Sequence, residues 1–363
     1  MTTAVSRRTG FHSLRVAGVE RLCDDAVAVT FEVPPALAET FAFAPGQSLT
    51  LRRSVDGRDE RRSYSICAQA GSQPRVGVRL VPDGVFSTWL VNEVRPGDEV
   101  EVAAPTGSFT PDLTTGGHHV LIAAGSGITP VLSIASSLLA MSDEAGPAAT
   151  VTVLYGNRRT DTVMFADELA DLKDRWPSRL ELVHVLSREP REAELFTGRL
   201  DVDKLRALFD LLVPVDEVDH FWLCGPFGMV TGAQELLSSF GVPAERVHQE
   251  LFYVDDVPPE PVKHVDAAVA GESSEVTLVL DGRSTTMSLP RESSVLDGAQ
   301  RFRPDLPFAC KGGVCGTCRA RVTEGSVEMR RNFALEKSEV DAGFVLTCQS
   351  HPVTDRVTVD YDA

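Results

Sequence analysis

Two textures of apolar and polar residues divide most of the chain. From residue 11 to about 113, short apolar and β-branched runs recur, such as Val27-Ala28-Val29-Thr30-Phe31-Glu32-Val33 and Val76-Gly77-Val78-Arg79-Leu80-Val81. Turn signals separate them at Pro45-Gly46, Asp56-Gly57, Asp83-Gly84 and Pro96-Gly97. Evenly spaced short strands of this kind predict a small β-barrel.

From residue 118 to about 254 the texture alternates between strand and helix. His119–Ala124, Val151–Tyr155, Leu180–Leu186 and His220–Cys224 read as buried strands. Val131–Met141, Phe165–Trp176 and Gly228–Phe240 read as the helices between or after them. This order predicts a parallel sheet covered by helices on both faces.

The acid- and proline-rich stretch 255–261 reads as a stiff, solvated linker that extends to about Gly271. Beyond it, Glu275–Leu280 and Thr285–Leu289 flank Asp281-Gly282, a hairpin signal. Ser293 or Ser294 suits the cap of a short helix reaching Gln300. A long cysteine-bearing loop follows, and Val357–Tyr361 closes the chain as an alternating strand. The expected layout is therefore a barrel over 1–113, an α/β domain over 114–254, a linker over 255–271 and an α+β domain over 272–363.

Length and charge narrow the function. A chain of 363 residues suits two or three domains. The net charge of −17 argues against nucleic acid as a partner. No apolar run approaches the roughly 18 residues that a bilayer span requires. The N-terminal MTTAVSRRTG has no apolar stretch behind its arginines, so it does not read as a signal peptide. A cytoplasmic, monomeric protein without a membrane partner is expected.

The cysteines carry the sharpest signal. Cys310, Cys315 and Cys318 are spaced C-x4-C-x2-C, and Cys348 follows after 29 residues. This is the plant-type [2Fe–2S] spacing, with soft thiolates suited to iron. Gly312, Gly313 and Gly316 let the backbone wrap such a cluster and turn N–H groups toward its sulfurs. Structural zinc is the other reading, although zinc ribbons use two C-x2-C pairs. The eight histidines show no metal-ligand spacing.

Weaker signals lie upstream. In Arg62-Ser63-Tyr64-Ser65, alternation puts Arg62 and Tyr64 on one strand face. There an arginine can neutralise a pyrophosphate, a tyrosine can stack on a flat ring, and a serine can hydrogen-bond a ring nitrogen. A solvated arginine beside a packed tyrosine gives the same pattern. Gly84-Val85-Phe86-Ser87-Thr88 leads into a helix whose first N–H groups suit an anion. Gly125-Ser126-Gly127-Ile128-Thr129-Pro130 joins a strand to a helix, with Thr129 as N-cap and Pro130 at the first helical position. Gly156-Asn157-Arg158 and Ser187-Arg188 follow successive strands, where ligands bind in parallel sheets. The Ser–Arg pair suits a 2′-phosphate, and a polar loop is the plainer reading. Cys224-Gly225-Pro226 closes the last strand, with Cys224 a small buried hydrophobe by default.

Taken in order, these motifs resemble the ferredoxin–NADP⁺ reductase superfamily with a C-terminal plant-type ferredoxin. Phe11-His12-Ser13-Leu14, Pro45-Gly46-Gln47, Arg62 to Cys67, Ala123 to Pro130, Cys310 to Cys318 and Leu346-Thr347-Cys348-Gln349 carry the resemblance. Within it the chain is more similar to the reductase-subunit family of phenylacetyl-CoA epoxidases. Reductases of steroid hydroxylases and other multicomponent oxygenases share the architecture.

The resemblance implies an FAD-binding barrel, an NAD(P)-binding α/β domain and a β-grasp ferredoxin domain. It implies that Arg62, Ser63, Tyr64 and Ser65 bind FAD, with Gly84, Phe86 and Ser87 completing the phosphate site. Gly125, Ser126, Gly127, Thr129, Pro130, Cys224, Gly225 and Pro226 would shape the nicotinamide site, and Glu250 and Phe252 would lie near the flavin. NADPH is expected over NADH because of Ser187 and Arg188, with Arg158 nearby. Electrons would pass through FAD and the cluster to an oxygenase partner of the di-iron kind. A non-enzymatic electron-transfer module is the competing class. Because the cofactors carry the redox chemistry, no acid–base catalytic residue is expected.

Overall fold

The computed structural model describes residues 10–55, 58–141, 148–252 and 272–363. The Asp56-Gly57 turn signal and the 255–261 linker reading lie outside them. The chain divides into two compact units: residues 12–60 with 64–252, and residues 253–363 with 1–11 and 61–63.

The first unit opens with an antiparallel sheet. Its strands are β1 (Phe11–Cys23), β2 (Ala26–Glu32), β3 (Ser48–Val55), β4 (Arg58–Ser65), β5 (Arg75–Arg79) and β6 (Glu99–Ala103), in the order β4-β3-β6-β1-β2-β5. Beyond β4, Ile66 pairs with Val76, and the Cys67 N–H donates to the Arg75 carbonyl at 2.8 Å. These links join the two ends of the order and give the sheet its barrel form. Inward residues Leu14, Val29, Phe31, Leu49 and Ile66 are fully buried. Helix α1 (Val85–Asn92) packs Phe86 and Leu90 into the same core.

The α/β half has five parallel strands: β7 (Gly117–Ala124), β8 (Ala149–Asn157), β9 (Leu180–Leu186), β10 (His220–Gly225) and β11 (Val247–Leu251). Their order is β11-β10-β7-β8-β9, so the direction of strand addition reverses beside β7. Helices α2 (Ile128–Leu139), α3 (Ala166–Arg175), α4 (Val202–Leu212) and α5 (Phe227–Ser239) connect them.

Three sequence expectations need correction here. Thr129 is not the N-cap of α2. A 3₁₀ turn over Gly125–Gly127 runs straight into the helix, Gly127 caps it, and the Thr129 hydroxyl donates back to the Ser126 carbonyl at 3.0 Å. Pro130 consequently sits within the first turn of α2, where its missing N–H has no helical partner to lose. Gly156 and Asn157 belong to β8 rather than to the loop after it. Cys224 does not close the sheet, because β11 adds one more strand beside β10.

The barrel and the α/β half share one apolar core. Ala26, Ala28, Cys67 and Phe109 of the former pack with Ile128, Val131 and Ile134 of α2. The Ser133 hydroxyl donates to the Ala68 carbonyl at 2.6 Å, the Ala70 N–H donates to Ser137 Oγ at 2.9 Å, and Arg75 pairs with Glu168 at 2.9 Å.

The second unit contains β12 (Ser273–Leu280), β13 (Arg283–Pro290), β14 (Arg319–Glu324), β15 (Val327–Met329), β16 (Phe344–Leu346), β17 (Ser350–Pro352) and β18 (Arg356–Asp360). Five of them form a mixed sheet in the order β13-β12-β18-β14-β16, and β15 pairs with β17. Asp281 and Gly282 both take left-handed backbone at φ 54° and 68°, as a two-residue hairpin turn requires. Ser294 caps α6 (Val295–Ala299) by accepting from the Asp297 N–H, and α7 (Lys337–Asp341) follows later. Alternate residues Val276, Leu278, Leu280, Val357 and Val359 pack with α6 in a buried core. The sheet and its packed helix make the β-grasp.

Candidate functional site

The sulfur loop lies between α6 and β14. Lys311, Gly313 and Gly316 take left-handed backbone at φ 52°, 82° and 66°. Lys311 is anchored in that conformation by its ammonium to Asp297 at 2.8 Å and to Gln300 at 2.7 Å. At Gly313 a side chain would press on Gln349 and the Arg331 carbonyl, 3.1 and 3.3 Å from a Cβ. The resulting curl aims backbone N–H groups at sulfur. Gly312 donates to Cys310 Sγ at 3.3 Å, and Val314 and Cys315 also donate to it. The Thr347 hydroxyl holds the Cys318 carbonyl at 2.9 Å and so sets Cys348 beside Cys318.

The four thiols gather together, Cys315 beside Cys310 and Cys348 beside Cys318, and each bears on the others' charge. Acceptance from Cys315 and from the backbone holds Cys310 below the usual thiol range, while Cys315 and Cys348 are pushed up as donors and by burial. A single zinc needs its ligands around one point. Among the described residues, no three His, Cys, Asp or Glu side chains surround one metal position. Two pairs of soft donors fit a two-iron cluster, in which each iron takes two cysteines.

In the first unit a second site forms where β4, β10 and β11 meet. Ser65, buried at the end of β4, donates to Glu250 at 2.8 Å. Glu250 sits beside Cys224 in the β10–β11 pairing. Burial pushes the Glu250 carboxyl up to about 7, offset in part by the Ser65 bond. The buried Cys224 thiol is also raised, by burial and then by the Glu250 charge. Tyr64 tilts toward Phe86, with ring centroids 6.2 Å apart. Arg62 and Ser63 precede Tyr64 on β4, and the Arg62 guanidinium donates to the Arg61 carbonyl at 2.7 Å.

Phe86 belongs to the barrel core, and the buried Ser87 hydroxyl closes the turn before α1, accepting from the Val81 N–H and donating to the Gly84 carbonyl, both at 3.1 Å. A Cβ on Gly84 would lie 2.7 Å from Ser87 Oγ, so this turn accepts only glycine without rearrangement. Phe252 packs half-buried against the shared core. A buried serine–carboxyl pair with a tyrosine next to the serine on β4 fits the polar edge and flat face of a flavin.

The third site occupies the crevice beyond the carboxyl ends of the parallel strands, at the reversal beside β7. Gly127 packs against the Cys224 backbone so closely that a Cβ would lie 2.1 Å from the Cys224 carbonyl oxygen. Gly125 is left-handed at φ 57°, and its carbonyl accepts from the Tyr155 hydroxyl at 3.0 Å. Ser126 is half-buried between these glycines, while Gly225 and the exposed Pro226 continue from Cys224 into α5. Arg79 on β5, which sequence reasoning missed, pairs with Asp25 at 3.2 Å and donates to the Thr162 carbonyl.

Farther along the crevice, a cavity of about 190 Å³ is lined by Arg158, Arg159, Thr162 and Arg188. The Arg188 N–H donates to the Arg158 carbonyl at 2.8 Å, and Ser187 donates to the Asn157 carbonyl through its N–H at 2.9 Å and its hydroxyl at 3.2 Å. Ser187 is thus spent on joining the loops, while the arginines line the space. Arg159 and Thr162 carry no signal in the local sequence pattern. A 3₁₀ turn over Thr160–Thr162 brings them in.

Known proteins share this organisation. Residues 13–110 match the oxidoreductase FAD-binding domain, 121–235 the oxidoreductase NAD-binding domain, and 278–353 the 2Fe-2S iron-sulfur cluster binding domain. The chain is 41% identical to a subunit of the 1,2-phenylacetyl-CoA epoxidase of Escherichia coli K12, over 98% of this chain and 99% of that protein. It is 34% identical to the ferredoxin reductase component of 3-ketosteroid-9-alpha-monooxygenase from Rhodococcus rhodochrous, over 96% of each. Phthalate dioxygenase reductase has the same fold, with a TM-score of 0.59 at 23% identity over 97% of this chain and 98% of that one.

Proposed function

Because the chain belongs to the ferredoxin–NADP⁺ reductase family whose members carry a C-terminal [2Fe–2S] domain, we propose that it draws electrons from NADPH and delivers them to the oxygenase component of a multicomponent oxygenase. It is an oxidoreductase with a domain for FAD, one for a nicotinamide nucleotide and one for a [2Fe–2S] cluster. When bound, FAD would supply a hydride acceptor for the nucleotide and the cluster a one-electron carrier.

This chain's residues do the positioning. Gly125, Gly127 and the Cys224 backbone would make room for the nicotinamide. Ser65 and Glu250 hold a proton at the buried edge of the flavin. Tyr64 covers its ring, and Arg62, Gly84 and the start of α1 meet its phosphates. Arg158 and Arg188 take the 2′-phosphate, which favours NADPH. Cys310 and Cys315 hold one iron, and Cys318 and Cys348 the other.

The observation that carries this reading is the sulfur loop, whose left-handed turns at Lys311, Gly313 and Gly316 and Gly312 N–H aimed at Cys310 Sγ stand in a chain that also contains a nucleotide crevice. Its test is Cys315→Ala. The visible absorbance of the cluster is lost while NADPH still bleaches the flavin; persistence of both would refute the ligand set.

The 41% identity over nearly the whole chain supports a phenylacetyl-CoA epoxidase as the physiological acceptor. A di-iron centre in that acceptor and a cytoplasmic, monomeric reductase complete the proposal. A steroid hydroxylase is the second reading, supported by the 34% relative. Substrate-dependent NADPH consumption with epoxidase components and phenylacetyl-CoA supports the first. Consumption only with a ketosteroid oxygenase supports the second.

A further inference from the structure

The arginine-lined cavity has an acid beside it. Glu189 follows Arg188 directly. A carboxylate just past a strand of a nucleotide-binding sheet ordinarily bonds a ribose hydroxyl and works against a phosphate there. In this chain both of its oxygens are taken. Oε2 accepts from the Thr160 N–H and Oε1 from the Thr160 hydroxyl, each at 2.7 Å. These two bonds hold the Glu189 carboxyl below the usual carboxylate range.

The neighbouring charges are arranged around this clasp. Arg159 is tied to Asp161 through two bonds of 3.0 and 2.6 Å. Among the described residues, Arg158 and Arg188 have no carboxylate partner of this kind. Their loops are joined by backbone on one side, from Ser187 to Asn157 and from Arg188 to Arg158. The bonds from Thr160 to Glu189 continue the same seam by side chain. The seam fixes how far apart the two arginine-bearing loops stand.

We propose that Glu189 is a specificity-determining positioning residue whose carboxylate clasps Thr160 and sets Arg158 and Arg188 at the spacing a nucleotide 2′-phosphate requires. The proposal rests on the NADPH reading. It explains why an acid at this place does not select NADH: each of its oxygens is turned to a Thr160 donor. Alanine breaks the clasp, whereas glutamine would keep it, its amide oxygen accepting from the Thr160 N–H and its amide nitrogen donating to the Thr160 hydroxyl oxygen.

The test measures KM for NADPH and for NADH in the holoenzyme, with ferricyanide as acceptor, for wild type, Glu189→Ala, Thr160→Val, Thr160→Ser and Arg158→Ala. Glu189→Ala and Thr160→Val raise KM for NADPH about tenfold and leave KM for NADH unchanged. Thr160→Ser, which keeps the hydroxyl, restores the wild-type values.

A fall in KM for NADPH in Glu189→Ala would mean that the acid faces the nucleotide, and would overturn the clasp. An equal rise for both nucleotides would reduce Glu189 to a structural residue and overturn it as well. Arg158→Ala separates the two levels. If it raises KM for NADPH while Glu189→Ala is silent, only the clasp fails. If it leaves NADPH binding intact, the phosphate site and the clasp fall together.

Discussion

Gly127→Ala isolates the nicotinamide crevice from everything else in the chain. The backbone at Gly127 is ordinary, at φ −61°, so the argument is purely one of space. An added Cβ would lie 2.1 Å from the Cys224 carbonyl oxygen, 2.5 Å from its carbon and 3.0 Å from the Gly225 nitrogen. Ordinary contact begins near 3.4 Å, so the loop and the end of β10 must part by roughly 1.3 Å. Both partners are backbone and cannot rotate away. Overpacking of this kind costs about 1–3 kcal/mol. A displacement of about 1 Å between reacting groups costs on the order of 100-fold in rate. The expected variant binds FAD and assembles the cluster normally. It melts a few degrees lower and is reduced by NADPH about 100-fold more slowly in anaerobic stopped flow. Gly228→Ala is the control, since nothing lies within 4 Å of a Cβ there. Wild-type bleaching by NADPH in Gly127→Ala, with unchanged NADP⁺ affinity, would refute the reasoning.

Glu250→Gln removes a buried carboxyl that titrates near neutrality, about 7. The wild-type rate of flavin reduction should bend near that pH and the variant's should not; a bend in both assigns the titration elsewhere. At the opposite end of the same sheet, His119 accepts from the Trp222 indole N–H at 3.2 Å and stacks on His220 at 5.3 Å. Burial, and then the charge of His220, push His119 down to about 4. The fold therefore keeps it neutral while the unfolded chain takes a proton below about 6.5. Stability from this group is complete above pH 6.5 and falls toward pH 4, by about 3 kcal/mol at about 1.4 kcal/mol per pH unit. His119→Gln keeps an acceptor for Trp222 and should flatten the acid limb of a melting-temperature profile, and an unchanged limb would exclude His119 as its source.

Local chemistry makes some elements legible in the sequence alone. β9 has the bounds its apolar run suggests, and the Asp281-Gly282 turn follows from two residues that tolerate left-handed backbone. The sulfur spacing needs no fold to be read. Other features depend on tertiary context. Helix α4 sits between charged, proline-punctuated loops that mask its apolar stripe of Leu205, Leu208 and Phe209. β11, Val-His-Gln-Glu-Leu, buries only Leu251 fully, because it is an edge strand held by β10. The pairing of Ser65 with Glu250 spans 185 residues of sequence, a distance that no local pattern encodes. Lys311 shows the converse: a residue poorly suited to left-handed backbone is kept there by two bonds to α6 and its C-cap.

The packing of Phe109, Cys67 and α2 into a single interior has a consequence for how such a protein can be rearranged. Cutting between the barrel and the parallel sheet would leave each half with a raw apolar wall, and neither fragment would be expected to stay dispersed in water. Gene shuffling must therefore carry the two halves as one inseparable cassette, with its nucleotide cleft already built when it arrives.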